Sequence, residues 1–204
     1  MELDTLSLFS ITVVLFIIMD PIGNIPAYMS LVKDLEPARR RFILIREMLI
    51  ALAFMVTFNF IGEYIFSVLE LSDTAVMLSS GLILFLTAIK VLFPAQNSLR
   101  MNLPKGEPFI IPLAIPLIAG PSLLATIMLY ARMETSIATM IAAIFISWVV
   151  ALLVLLAAPF FKRYLGNNGL MALERLMAMV LVMLAIQRFM EGIQTFVDLK
   201  SWVA

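Results

Sequence analysis

The chain contains no cysteine and no histidine. That excludes disulfides, thiolate chemistry, imidazole metal sites and imidazole proton relays, and it leaves carboxylates as the groups able to titrate in a proton-coupled step. Charge is scarce as well: charged residues are 14% of 204 positions, with 14 bases against 14 acids. No block of like charge is longer than Arg39-Arg40-Arg41, so nucleic acid is not an expected partner; a triplet of this kind beside an apolar run more often fixes membrane topology. Enzyme signatures are missing too. There is no HExxH, no GxSxG, no pair of aspartates within one apolar run and no Walker sequence. The expectation is a protein that is not an enzyme, holds no metal or cofactor, and draws its energy from a gradient.

What is present is apolar. Hydrophobic residues make up 63% of the chain, and the mean hydropathy is +1.06, the composition of an all-α polytopic membrane protein. Six apolar spans can be read, at 6–31, 42–66, 74–94, 109–131, 137–161 and 172–196, each long enough for one transmembrane helix. They fill a single transmembrane domain over 1–204 with no separate soluble part. Turn signals fall between spans: Glu36-Pro37, the stretch from Leu103 to Pro108, and Gly166-Asn167-Asn168-Gly169 in a loop at 162–170. Bases gather in alternate loops, with Lys33 and Arg39 to Arg41, then Arg100 and Lys105, then Lys162 and Arg163. The positive-inside rule puts those loops in the cytoplasm and both termini in the periplasm. The acidic start Met1-Glu2-Leu3-Asp4 does not read as a signal peptide.

One stretch breaks the first span: Asp20-Pro21-Ile22-Gly23-Asn24-Ile25-Pro26. Counting from Leu8, Asp20 lies roughly 18 Å into a hydrocarbon core about 30 Å thick. A carboxylate at that depth costs at least about 2.5 kcal/mol on insertion scales, so it needs an internal partner, water or a proton. Shifting the chain by 100 places lays Asp20-Pro21 on Gly120-Pro121, which is followed by Ser122 and Thr126. A second echo pairs Ala88-Ile89-Lys90 with Ala185-Ile186-Gln187 at a shift of 97. Three spans per half make the second half enter from the opposite side, giving two inverted three-helix repeats over 6–94 and 109–196.

Asp before Pro is a helix-start signature, and Gly-Pro-Ser permits the same restart. Spans one and four are therefore read as broken near the midplane, with new half-helices starting at Pro21 and Pro121 and their N-termini converging. Pro26, Pro112 and Pro116 loosen the approaches. Freed backbone groups survive at such depth only inside protein or against a wet cavity, and two helix N-termini suit a carboxylate. The candidate substrate-binding residues are Asp20, Pro21, Gly23, Asn24, Gly120, Pro121, Ser122 and Thr126. Asp20 is also the proton-coupling candidate. Together they suit a small zwitterion. The plainer alternative is that Asp20 only caps a half-helix.

Other polar residues read more simply. Glu174-Arg175 and the pair Arg188 and Glu191 suggest snorkelling or local pairing, Lys90 snorkelling, and Glu63 an interfacial position. Ser79-Ser80-Gly81 suggests close helix packing. Trp148 reads as packed and Trp202 as an interface anchor.

The runs DPIGNIP at 20–26, PARRR at 37–41 with RE at 46–47, PFIIPLAIPLIAGPSLLAT at 108–126 and ALERLM at 172–177 resemble the MarC family of bacterial inner-membrane proteins over nearly the full length. The resemblance implies a multi-pass inner-membrane protein organised like amino-acid exporters, and transport of small neutral amino acids such as glycine and alanine coupled to protons. It places the family's signatures on Asp20, Pro21, Gly23, Asn24 and Pro26, and on Pro112, Pro116, Gly120 and Pro121. Implied partners are a small zwitterion and the lipid bilayer, and a homo-oligomer is compatible with the sequence. Rival readings are export of another small metabolite or drug, and a membrane protein without transport activity.

Overall fold

The computed structural model describes residues 8–33, 35–93, 113–133 and 136–201. They form seven α-helices and one π-helical segment, with no strand among the described residues: α1 Leu8–Met19, α2 Ile25–Leu31, α3 Pro37–Val68, α4 Asp73–Leu92, the π segment Leu113–Ile118, α5 Pro121–Met133, α6 Ile137–Leu156 and α7 Ala158–Ser201. Four of them, α3, α4, α6 and α7, are long and apolar enough to cross a membrane, and α1 is a shorter apolar helix. The all-helical expectation holds. Pro112 and Trp202 lie outside the described residues.

Each helix buries a stripe and turns other apolar side chains outward. In α1 the stripe is Ile11, Leu15 and Met19, four residues apart, while Phe9 faces out. On α3 it runs through Leu44, Glu47, Met48, Ala51, Met55, Asn59, Gly62 and Phe66. Phe60, Leu82 and Met183 are among many large apolar side chains left exposed. Lipid is the surrounding that suits helices apolar all round. The starts follow local chemistry: Pro37 opens α3, while Ser72 and Ser136 accept backbone N–H bonds from Ala75 and Thr139 at 3.2 and 3.3 Å.

The loop expected at 162–170 is a break, but a short one: two helical stretches of α7 meet across a kink at Gly166. Only Gly166 leaves helical geometry, with φ 65° and ψ −173°. A single left-handed glycine bends the chain without needing a loop.

The central packing joins α1 to α6, α3 to α5 and α6, and α4 to α7. Two contacts fall on residues related by the shifts read from the sequence. Trp148 Nε1 donates to the Met48 carbonyl at 2.7 Å, across 100 positions. Leu84, Ala88, Leu181 and Ala185 form one buried cluster, in which each residue of α4 has its counterpart 97 positions on in α7. Trp148 is packed as expected. Removing its donor in Trp148→Phe will leave the Met48 carbonyl unpaired at this point and lower stability by about 0.5–1.5 kcal/mol, measured by thermal unfolding in detergent.

Ser80 and Gly81 are buried, in line with the packing role expected of them. A Cβ on Gly81 would stand 3.0 Å from the Ala185 carbonyl oxygen and 3.1 Å from the Phe189 nitrogen, both backbone atoms of α7. Backbone cannot swing aside. Gly81→Leu is expected to force α4 from α7 and to cost about 1–3 kcal/mol by overpacking, whereas Ser79→Leu, at an exposed position on the same helix, will leave the unfolding temperature nearly unchanged.

Candidate functional site

The first break is built on Asp20. Its backbone sits at φ 44°, a left-handed conformation that aspartate tolerates better than most residues, and its N–H donates to the Phe16 carbonyl at 3.1 Å, closing the end of α1. The side chain then turns to the next segment. Gly23 N–H donates to Asp20 Oδ1 at 2.9 Å, so one residue ends α1 and caps the turn that follows. Gly23 has to lack a side chain: a Cβ there would collide with the Asp20 carboxylate, 2.8 Å from its carbon.

Residues 21–24 are a turn, and α2 begins at Ile25 with Pro26 in its first positions. The expected restart at Pro21 therefore comes one turn later, because the Asp20 to Gly23 bond spends those residues on a capped turn. Pro26 fits a first-turn position, where its missing N–H has no intrahelical partner to lose, so it opens α2 and does not loosen it. With seven residues α2 carries a small dipole. Side-chain and backbone bonds organise this centre instead.

Asn24 makes the link between the breaks. Its Nδ2 donates to the Met19 carbonyl at 3.1 Å and to the Leu117 carbonyl at 3.2 Å. Met19 ends α1, and Leu117 lies in the π segment of the second break. That segment contains Pro116 and is interrupted at Ile115, which adopts extended φ −133° and ψ 127°. Ala119 N–H reaches back to the Ala114 carbonyl at 2.9 Å. After Gly120, α5 starts at Pro121 as expected. Met19, Ile25, Ile118, Ala119, Leu123 and Ile127 share one core cluster, so both breaks lie in the same packed interior.

The candidate residues divide. Asp20, Pro21, Gly23, Ser122 and Thr126 are buried, Asn24 and Gly120 are half-buried, and Pro121 is exposed. Asp20 itself is only 6% exposed. Thr126 Oγ1 donates to the Ser122 carbonyl at 2.8 Å, within its own helix. Among the described residues no hydrogen bond joins Asp20 to Gly120, Pro121, Ser122 or Thr126; the two breaks are tied through Asn24 and Leu117.

Two residues without an expected role are buried and polar. Glu47 is 0% exposed, and its Oε1 takes Arg46 Nη2 at 2.7 Å while Oε2 has no partner. Asn59, also buried, leaves its Oδ1 without one. The buried stripe of α3 was the signal for both, since it runs through each at helical spacing. Arg188 departs from the snorkelling expected of it: it is buried, with its guanidinium 4.8 Å over the Tyr130 ring. Its expected local partner Glu191 accepts from Gln187 Nε2 at 2.9 Å. Lys90 and Glu63 are exposed, as read from the sequence.

Comparison with known proteins bears on the whole chain. The family model for the MarC family integral membrane protein matches residues 5–197. The UPF0056 inner membrane protein YhgN of Escherichia coli strain K12 is 47% identical over 189 residues, covering 92% of this chain and 96% of the relative. A UPF0056 membrane protein of Buchnera aphidicola subsp. Baizongia pistaciae is 47% identical over 199 residues, 96% of this chain and 97% of that protein. One from Chlamydia pneumoniae is 31% identical over 202 residues, 97% and 99% of the two chains. No solved structure matches. Matched from end to end across both breaks, the chain belongs to the MarC family of integral membrane proteins.

Proposed function

We propose that this protein is a secondary transporter that moves small neutral amino acids, glycine- or alanine-like, across the bacterial inner membrane by alternating access, coupled to protons. The observation that carries the reading is a buried carboxylate, Asp20, at a break in the first span that is hydrogen-bonded through Asn24 to the break in the fourth. Interrupted helices at membrane depth are where such carriers hold substrate, and an intramembrane carboxylate is the group that binds and releases a proton in a chain without histidine.

Six spans in two inverted halves, over 6–94 and 109–196, complete the proposal. The packing of α1 on α6 has its counterpart in the π segment on α3, and that of α2 on α7 in α5 on α4. In an isologous contact equivalent residues meet near the two-fold axis, and the Trp148 to Met48 bond and the Leu84, Ala88, Leu181, Ala185 cluster support that arrangement. One half would rock against the other about the paired breaks, with both termini in the periplasm. The present packing, with Asp20, Ser122 and Thr126 all buried, suits a closed state of such a cycle. On this reading the protein is a carrier and not an enzyme, and it works in lipid without a cofactor.

The test is counterflow of radiolabelled glycine and alanine in liposomes holding the purified protein, with and without an imposed proton gradient. Saturable exchange that the gradient accelerates is the expected result. Absence of exchange with both amino acids, in protein shown to be folded, would reject them as substrates and send the screen to other small metabolites and drugs.

A further inference from the structure

We propose that the cavity beside Arg188 is a second substrate site, in which the guanidinium takes the carboxylate of a small zwitterion and Glu191 takes its ammonium group. The cavity, of about 380 Å³, lies between α4, α5 and α7, and its wall includes Tyr130, Arg188, Glu191, Gln194, Thr195 and Asp198. Its size falls within the range of small-ligand pockets.

Arg188 is 6% exposed, and its Nη2 has no hydrogen-bond partner. Among the described residues no carboxylate forms an ion pair with it. A buried guanidinium left without an anion is expensive. The Tyr130 face fixes the plane of the group but supplies no acceptor for its fork of donors, and a carboxylate matches that fork. Glu191 lies one turn along the same helix and lines the same cavity, so a guanidinium and a carboxylate share one space. A simple anion would use only half of this arrangement. The choice of an amino acid as ligand rests on the transport reading; the site itself does not.

Arginine-directed footprinting tests it. The purified wild-type protein is treated with phenylglyoxal, and the adduct at Arg188 is followed by peptide mass spectrometry, with exposed Arg39 and Arg41 as internal references. Arg188 is expected to react through the cavity, and alanine at ten times its half-protecting concentration to slow that reaction about tenfold by mass action, leaving the references unchanged. Propionate should protect only at higher concentration and ethylamine not at all. In Glu191→Gln, alanine should lose its advantage over propionate while propionate protects as before. An Arg188 that never reacts, or that reacts equally fast with alanine present, overturns the site; equal protection by alanine and propionate in the wild type overturns the zwitterion assignment. Protection without counterflow would leave this site standing and remove the transport reading. Counterflow without protection would do the reverse.

Discussion

Asp20→Asn protein will insert and fold normally, and its gradient-driven counterflow will fall to the level of protein-free liposomes. The structural half of this expectation follows from what Asp20 does for the backbone. It accepts one bond, from the Gly23 N–H at 2.9 Å, and it holds φ 44°. Asparagine has an oxygen in the same place and tolerates the left-handed region as well, so the end of α1 and the capped turn survive. What asparagine cannot do is carry a charge or release a proton. Alanine separates the two roles from the other side: it loses the cap, worth about 0.5–2 kcal/mol, and meets the left-handed penalty of roughly 1–2 kcal/mol. Thermal unfolding in detergent should therefore rank aspartate with asparagine and both above alanine, while counterflow ranks aspartate alone above the other two. Coupled transport in Asp20→Asn at the wild-type rate would reduce Asp20 to a cap and remove the carboxylate from the mechanism.

The same residue shows how far the sequence can be read. That the first span is broken follows from Asp20-Pro21 within an apolar run, because neither residue continues a helix there, and Gly120-Pro121 announces the start of α5 for the same reason. Where α2 begins was not legible. Asp20 caps a turn and not a helix, so the restart slips from Pro21 to Ile25, a choice made by a single side-chain bond. The break read at 162–170 is there but narrower than a loop, because Gly166 alone takes the bend and helix resumes directly after it. Long-range partners leave no local mark at all. Nothing in the neighbourhood of Asn24 names the Leu117 carbonyl as its acceptor, and nothing near Arg188 says that α4 and α5 will cover it. Helical spacing, by contrast, does carry burial, and the α3 stripe contains Glu47 and Asn59 at positions where apolar residues would be expected.

Asn24→Leu is expected to give a protein that is less stable and more open. Asn24 is the only described side chain that hydrogen-bonds to both breaks, with bonds to the Met19 and Leu117 carbonyls at 3.1 and 3.2 Å. Within a membrane protein such side-chain bonds are worth about 0.6 kcal/mol on average and up to about 1.7 each. Losing both should therefore cost roughly 1–3 kcal/mol. If the Leu117 bond forms only in the closed packing, its share of that loss, about 0.6–1.7 kcal/mol, also shifts the balance between closed and open states, by roughly 3- to 20-fold. A chain without cysteine makes the shift measurable. Ser122→Cys puts a single thiol at a buried position one residue inside α5, where a membrane-impermeant thiol reagent should label it slowly. Adding Asn24→Leu should raise the labelling rate at least about threefold, the lower end of that range. Asn24→Asp, which sets an acceptor against two carbonyls, should raise it further. A rate unchanged in both double variants, with unfolding temperatures lowered, would mean that Asn24 holds the fold together without gating it; the paired breaks would then be a fixed structural joint, and access to the centre would have to come from movement elsewhere.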